Sequence, residues 1–381
     1  MNRYKALSFE SAMNSTKIII ASTLLIWTFA ANTLLAQDSL GDTTAAILDF
    51  DDGPHVYWKN GNQATVFYYC KETFDSLSFE VRDTLRFSGF CNDSEMTYLI
   101  SAQPPQVEPH LFDNVSRILA VSDIHGEYEA LLDILQKAKV IDSEYRWTFG
   151  DGHLVVVGDV FDRGSKVTEC LWLIYRLEAE ARSQGGRVHL LLGNHELMVL
   201  RGDNRYIHER YMKGIVKKLR LNHEDIFGPE SELGRWLRTK HLAIKINDIL
   251  YVHGGISPFV VERSLSLKKI NEIARASLDI SSLNLTFSTT AKFIFSSRGP
   301  FWYRGYHYEM ENRYPKVTGE EISTILSFYE ASAVVVGHSE HDSLTAKFDQ
   351  RVFAIDVPVA ELGGLQALLW QDGRFLLVDV T

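Results

Sequence analysis

Two textures of hydrophobic and polar positions divide the chain. Over residues 38–115, short aromatic and β-branched runs are interrupted by Gly, Asn and Asp. They read His55-Val-Tyr-Trp, Ala64-Thr-Val-Phe-Tyr-Tyr, Ser78-Phe-Glu-Val, Leu85-Arg-Phe and Thr97-Tyr-Leu-Ile. That pattern predicts short strands joined by turns. Pro104, Pro105 and Pro109 then mark a linker. Beyond it the period changes. Arg117-Ile-Leu-Ala-Val-Ser, Leu154-Val-Val-Val-Gly and Val188-His-Leu-Leu-Leu-Gly are continuous apolar runs, expected of strands buried on both faces. Between them, Leu131, Leu132, Ile134 and Leu135 fall on one helical side, and a second helix is expected over about 168–183. Later strands are predicted at 249–253, 333–337 and 351–357. The fold class is α/β, with a sheet covered on both faces and a small β-rich region before it. The segments are 1–37, 38–115 and 116–381.

The first segment reads as an address. Residues 18–37 carry no charge, Lys17 precedes them, and small residues lead to Ala36 before Asp38. This is the order of a secretory signal, cleaved from an exported, periplasmic or extracellular protein with no stable membrane anchor afterwards. An uncleaved segment anchoring the protein to a membrane is the alternative, because about 20 residues span a bilayer. Met13 offers a second start with a tighter leading segment.

Composition narrows the classes. The 381 residues are 45% hydrophobic and 23% charged, which excludes a disordered or low-complexity chain. With 39 Lys+Arg against 49 Asp+Glu, the net charge of −10 argues against a nucleic-acid partner. Three cysteines are too few for a disulfide scaffold. Cys70 and Cys91 lie in one β-rich region, where export permits a bridge; two buried thiols remain the other reading. Cys170 falls in a helical pattern as a core thiol.

Chemistry gathers at the strand ends. The blocks are Asp123-Ile-His125-Gly, Gly158-Asp159-Val-Phe-Asp162-Arg163-Gly, Gly193-Asn194-His195-Glu196, His253-Gly-Gly and Gly337-His338-Ser. Asp123, His125, Asp159, Asn194, His253 and His338 offer oxygen and nitrogen donors without a thiolate, a mixture suited to Mn, Fe, Zn or Co. Six donors exceed the need of one tetrahedral ion, and a carboxylate can bridge two. A pair of ions can activate water and stabilise an in-line displacement at phosphorus. Arginines supply the fork that matches phosphate oxygens. Any one such block alone would be a cap, a surface turn or a hydrogen-bonded loop histidine. Five in succession, each after an apolar run, are not explained that way.

These blocks resemble the calcineurin-like metallophosphoesterase superfamily, and within it the PPP-type phosphatases. Gly158-Asp-Val-Phe-Asp-Arg-Gly is similar to the bacterial-like branch, especially the Shewanella-like phosphatases. The resemblance runs from about residue 117 to the C-terminus. Ser122 stands where Gly is usual, and Ser339 where Thr is common; neither removes a ligand. The resemblance implies a metallophosphoesterase-type β-sandwich flanked by helices and two divalent metal ions, Mn first and Fe, Zn or Co as alternatives. It implies that Asp123 and His125 hold one ion, that Asp159 bridges, and that Asn194, His253 and His338 hold the other. The expected nucleophile is a metal-bridging hydroxide. His195, tuned by Asp162, would protonate the leaving oxygen, because a neighbouring carboxylate favours imidazolium. Arg163 would clamp the phosphoryl group, with Arg304 in Phe301-Trp-Tyr-Arg-Gly as a second clamp. Glu196 is expected behind the ligands rather than among them.

Residues 201–245 carry 11 Lys+Arg against 6 Asp+Glu. Ile207, Tyr211, Ile215 and Leu219 recur every four residues, predicting one helix with a basic outer face. Either that face steers anionic substrates or it is a solvated surface. The expected function, which the resemblance implies, is an exported dinuclear-metal phosphomonoesterase acting as a protein phosphatase on phosphotyrosine and/or phosphoserine/threonine, with a phosphorylated protein, peptide or small phosphoester as substrate. A nucleotide or dinucleoside-polyphosphate hydrolase is the alternative. A non-catalytic phospho-ligand-binding protein is the alternative of another class.

Overall fold

The computed structural model describes residues 5–6, 51–70, 73–88, 91, 97–279 and 288–380. The segment read as a secretory signal lies outside them, apart from Lys5 and Ala6, which pair with Leu377 and Leu376. Two six-stranded mixed sheets form the body. The first runs in the order Lys5–Ala6, Arg374–Asp379, Gln366–Gln371, Arg117–Val121, His153–Val156 and Arg187–Leu190. Its last three strands are parallel. The second runs Thr345–Lys347, Val352–Ala354, Ala333–Val336, Ile249–Val252, Ala243–Ile246 and Leu111–Phe112.

The unbroken apolar runs are explained by what lies on each side. Ile118, Ala120, Val155 and Val157 point into a core shared with Ile244, Ile246, Tyr251, Val335 and Phe353 of the other sheet. Their neighbours Leu119, Val121, Leu154 and Val156 face a second core that includes helix residues. Because side chains alternate along a strand, a strand with protein on both faces has no polar side. The helices Tyr128–Lys137 and Val167–Ser183 supply Leu131, Ile134, Leu171, Leu173 and Ile174 to that second core. The sandwich flanked by helices is therefore present.

The N-terminal strands form a three-stranded sheet, Asp52–Lys59, Gln63–Cys70 and Thr73–Glu80, and a hairpin, Thr84–Ser88 with Thr97–Ser101. Cys70 and Cys91 are joined by a disulfide with Cα atoms 5.2 Å apart, and Cys170 is a buried free thiol. Val56, Trp58, Val66, Phe87 and Tyr98 join the same core as Leu171 and Trp172. Trp172 Nε1 donates to the Pro54 carbonyl at 2.8 Å, and Thr168 Oγ1 to Asp52 at 2.9 Å.

The basic block differs from expectation. Glu209–Tyr211 and Lys217–Leu219 are α-helical, but Met212–Val216 between them is a π-turn with Gly214 at φ −87°, ψ −105°. Its cations are largely engaged within the fold. Arg210 reaches Glu169, Arg235 reaches Glu232, Arg238 reaches Asp279 and Lys240 reaches Glu178. Charges paired and largely buried in this way do little steering, and these four do not form a solvated face either.

Candidate metal centre

Every expected ligand sits at the carboxyl end of a strand or just beyond it, where open α/β sheets place their sites. Asp123 follows Arg117–Val121, Asp159 follows His153–Val156, and Asn194 follows Arg187–Leu190. His253 and His338 follow Ile249–Val252 and Ala333–Val336. Backbone bonds lace the first two loops together: Asp123 N donates to the Gly158 carbonyl at 3.1 Å, and His125 N to that of Asp159 at 3.0 Å. Asp123, His125, Asp159, Arg163 and His338 have left-handed φ values of 50°, 47°, 54°, 61° and 66°. Such positions are uncommon outside glycine and concentrate at functional sites. Two glycines are required by close approach. A Cβ on Gly193 would stand 2.1 Å from Asp159 Oδ1, and one on Gly337 would stand 2.3 Å from Asp123 Oδ2.

The hydrogen bonds determine which ring nitrogens are free. His125 Nδ1 donates to the Phe161 carbonyl at 2.6 Å, leaving Nε2 as its lone pair, 3.9 Å from Asp123 Oδ1. His253 Nδ1 donates to the Val157 carbonyl at 2.8 Å. Its Nε2 therefore faces Asp159 Oδ2 at 3.1 Å and Asn194 Oδ1 at 2.9 Å. Three acceptors converge there with no donor among them, and only a cation or an extra proton relieves the repulsion. Burial opposes protonation of His253, but Asp159 and then Asp123 raise its pKa to about 10. Burial would raise Asp159, yet His253, His195 and His125 hold its carboxyl well below the usual range. His125, chiefly through burial, is pushed down to about 3 and stays neutral, as a ligand must. The atoms of His125, Asp159 and His195 lie within 4.8 Å of one another, as do those of Asp159, His253 and His338. The donor set fits divalent ions.

His195 and Asp162 stand beside this cluster. His195 Nδ1 and Asp162 Oδ2 are 2.9 Å apart, and His195 Nε2 is 3.9 Å from Asp159 Oδ2. Burial works against protonation of His195, but the bond to Asp162 and the charges of Asp159 and Asp162 raise its pKa. The exposed Arg163 is anchored by its N–H to the Tyr206 carbonyl at 2.9 Å, and its charge is felt by His125 and His195. Arg304 is drawn to the same centre. Its guanidinium donates to the His338 carbonyl and lies 3.3 Å from His338 Nδ1. Because a guanidinium only donates, Nδ1 is the lone-pair side of that ring.

Glu196 takes the supporting place expected of it behind the ligands, while the roles of Ser122 and Asp356 escaped the sequence reading. Glu196 accepts two backbone N–H groups on each oxygen: Asp159 (2.9 Å) and Gly193 (2.7 Å) on Oε2, Val160 (2.8 Å) and Phe161 (3.3 Å) on Oε1. It ties two motif loops into one body. Ser122 donates to Asp123 Oδ2 at 2.6 Å, so a position noted only as a departure orients a ligand. Asp356, just after Val352–Ala354, is buried; burial and then the charges of Asp123 and Asp159 push its pKa up to about 9. The rule that found His253 and His338, a polar residue after an apolar strand, would have found it too.

Comparison with known proteins agrees with this geometry. A family model for the calcineurin-like phosphoesterases matches residues 116–341. Shewanella-like protein phosphatase 1 of Plasmodium berghei is 28% identical over 61% of this chain and 64% of its own length. Shewanella-like protein phosphatase 2 of Arabidopsis thaliana is 40% identical over 25% of each chain. Among solved structures, a cold-active protein-tyrosine phosphatase of a psychrophilic Shewanella species is 37% identical. The match covers 87% of this chain and 98% of that one, with a TM-score of 0.80.

Proposed function

This chain belongs to the calcineurin-like phosphoesterase family and is a PPP-type, metal-dependent phosphoester hydrolase, and on that basis we propose that it is an exported protein phosphatase with a two-metal centre. The 37% identity to a protein-tyrosine phosphatase over nearly all of that enzyme carries the substrate class. Phosphotyrosine is therefore the first expectation and phosphoserine or phosphothreonine the second. The Cys70–Cys91 bridge supports export, since disulfides persist in oxidising compartments. Residues 1–37 would be removed, and 38–115 would brace the catalytic part formed by 116–381.

In this reading Asp123, His125, Asp159, Asn194, His253 and His338 would hold the ions. Two divalent ions supply Lewis-acid polarisation of phosphoryl oxygens and lower the pKa of an attacking water. The chain's own part is orientation and proton supply. Arg163, with Arg304 when it turns from His338, would grip the phosphoryl oxygens bidentately. His195 would give the proton on Nε2 to the departing oxygen, while Asp162 holds Nδ1–H and favours the charged ring.

The test is hydrolysis of phosphotyrosine and phosphoserine peptides, diadenosine tetraphosphate and a phosphodiester, each with Mn²⁺ or with chelator. Metal-dependent turnover is expected on the peptides above the nucleotide. Preference for the nucleotide would overturn the protein-phosphatase reading and leave the metal assignments intact. In the same assay His195→Asn should lose about 10²–10⁴-fold on poor leaving groups and much less on nitrophenyl phosphate. Equal losses on both would remove the general-acid role.

A further inference from the structure

Beside the metal centre lies a second group of ring and ammonium nitrogens that the mechanism does not use. His307 is 8% exposed. Its Nδ1 lies 2.9 Å from His341 Nε2 and 3.2 Å from Lys347 Nζ. An ammonium carries only donors, so Nδ1 must be the acceptor and the ring proton sits on Nε2. Burial, then Lys347, His341, Arg304 and Lys316, push the His307 pKa down to about 2, which keeps the ring neutral. Its Nε2–H is thus a buried donor, and it has no hydrogen-bond partner among the described residues. Leaving such a donor unmet costs about 1–3 kcal/mol, and buried polar groups of this kind call for an explanation.

The surroundings point to the missing acceptor. The Lys347 pKa is pushed down by burial and by Lys316, and at the neighbouring His341 burial and Lys347 outweigh the opposing charge of Asp342. Arg304, three residues before His307 and bonded to it through its carbonyl at 3.0 Å, reaches across to the His338 carbonyl. His341 N donates to the Asp356 carbonyl at 3.1 Å. The cluster is therefore built into the turns that carry Arg304 and His338. Cationic side chains and an orphan donor together favour an oxyanion.

We propose that His307, His341 and Lys347, beside Arg304 and with Lys316 at the rim, form a second oxyanion subsite for a further anionic group of the substrate. It rests on the phosphatase reading above and narrows the substrate: a phosphorylated segment with a carboxylate or second phosphate beside the scissile ester. A polyphosphate chain presents the same chemistry, and the assay separates the two.

The measurement is kcat/KM on the metal-loaded enzyme for phosphotyrosine peptides flanked by Glu or by Gln, and for diadenosine tetraphosphate. Each value is taken relative to nitrophenyl phosphate in the same protein. The Glu-flanked peptide should exceed the Gln-flanked one by about tenfold. Lys347→Gln should lower that ratio to about twofold or less, and His307→Phe should lower it in the same direction. A ratio unchanged by Lys347→Gln, or no preference for a second anion in the parent enzyme, overturns the subsite. Silence on both peptides with turnover of the tetraphosphate defeats the protein-phosphatase reading instead. The subsite then stands if Lys347→Gln lowers the tetraphosphate value selectively, and falls if it does not.

Discussion

At the scale of single residues, Glu196 shows how much of a metal centre lies behind its ligands. Four N–H groups aim at its two oxygens, two on each. Burial and the charge of Asp159 push its pKa up to about 7, yet all four partners are donors, so a carboxyl proton would point at another N–H. The bonding thus favours the carboxylate. Glu196→Gln keeps the shape but turns one oxygen into an amide NH₂ facing two of those donors. Each orphaned buried donor costs about 1–3 kcal/mol, and loss of such support around ligands typically costs about 10–100-fold in metal affinity. We expect a lower unfolding midpoint and weaker retention of Mn²⁺ on dialysis, read by elemental analysis. A variant that kept both would show that the four bonds do not hold the ligand loops.

At the scale of elements, the legible parts were those where one physical demand dominated. Runs such as Leu154-Val-Val-Val were readable because a strand with protein on both faces has no polar side to confuse the pattern. The ends of those runs were readable because each ligand needs a tight turn, so glycine and a metal-binding residue appear together. The segment after Ile207 was harder. Apolar residues every four positions drift by about 40° per step around a 3.6-residue helix, so an α-helix cannot keep all of them inward. The π-turn at Met212–Val216 takes up that drift, and Tyr211, Ile215 and Val216 are buried. The spacing held the information, but the nearest familiar helix obscured it. Asp356 was readable by position, after an apolar strand, but the orphan at His307 was not, because its character comes from neighbours far along the chain. The N-terminal strands carry a further prediction. Cys70 and Cys91, 21 residues apart, clasp the end of Gln63–Cys70 to the chain beyond Thr84–Ser88. Closing a loop of that size stabilises by about 3 kcal/mol. Cys70→Ser with Cys91→Ser should lower the urea-unfolding free energy by about that amount, and reductant should then have no further effect. A double variant as stable as the parent would mean that the core shared with Trp172 holds this region without the bridge.

At the scale of the whole molecule, several histidines are buried away from the centre and carry no charge there. Burial pushes His153, His223 and His241 down to about 4, and His189 well below its ordinary value. In the unfolded chain each takes a proton near pH 6.5. Between about pH 6.5 and 4 the unfolded state therefore binds more protons, and stability falls as the pH falls. The stabilisation is fully present above pH 6.5 and is lost on the way down to about pH 4 for His153, His223 and His241. His223 isolates the effect. It is 2% exposed, sits against the rings of Tyr211 and Phe227, and its Nδ1 has no hydrogen-bond partner among the described residues. His223→Phe replaces it with a ring that never titrates. A shift from 6.5 to about 4 corresponds to at most about 3 kcal/mol per histidine over that window. Urea-unfolding midpoints from pH 7.5 to 4.5 should thus decline less steeply in His223→Phe than in the parent. Metal stripped from both proteins by chelator keeps ligand titration common to the pair, so the difference in slope belongs to His223. Parallel curves would mean that this histidine takes up its proton inside the folded protein, where Asp52 favours the charged ring against burial and the charge of His55.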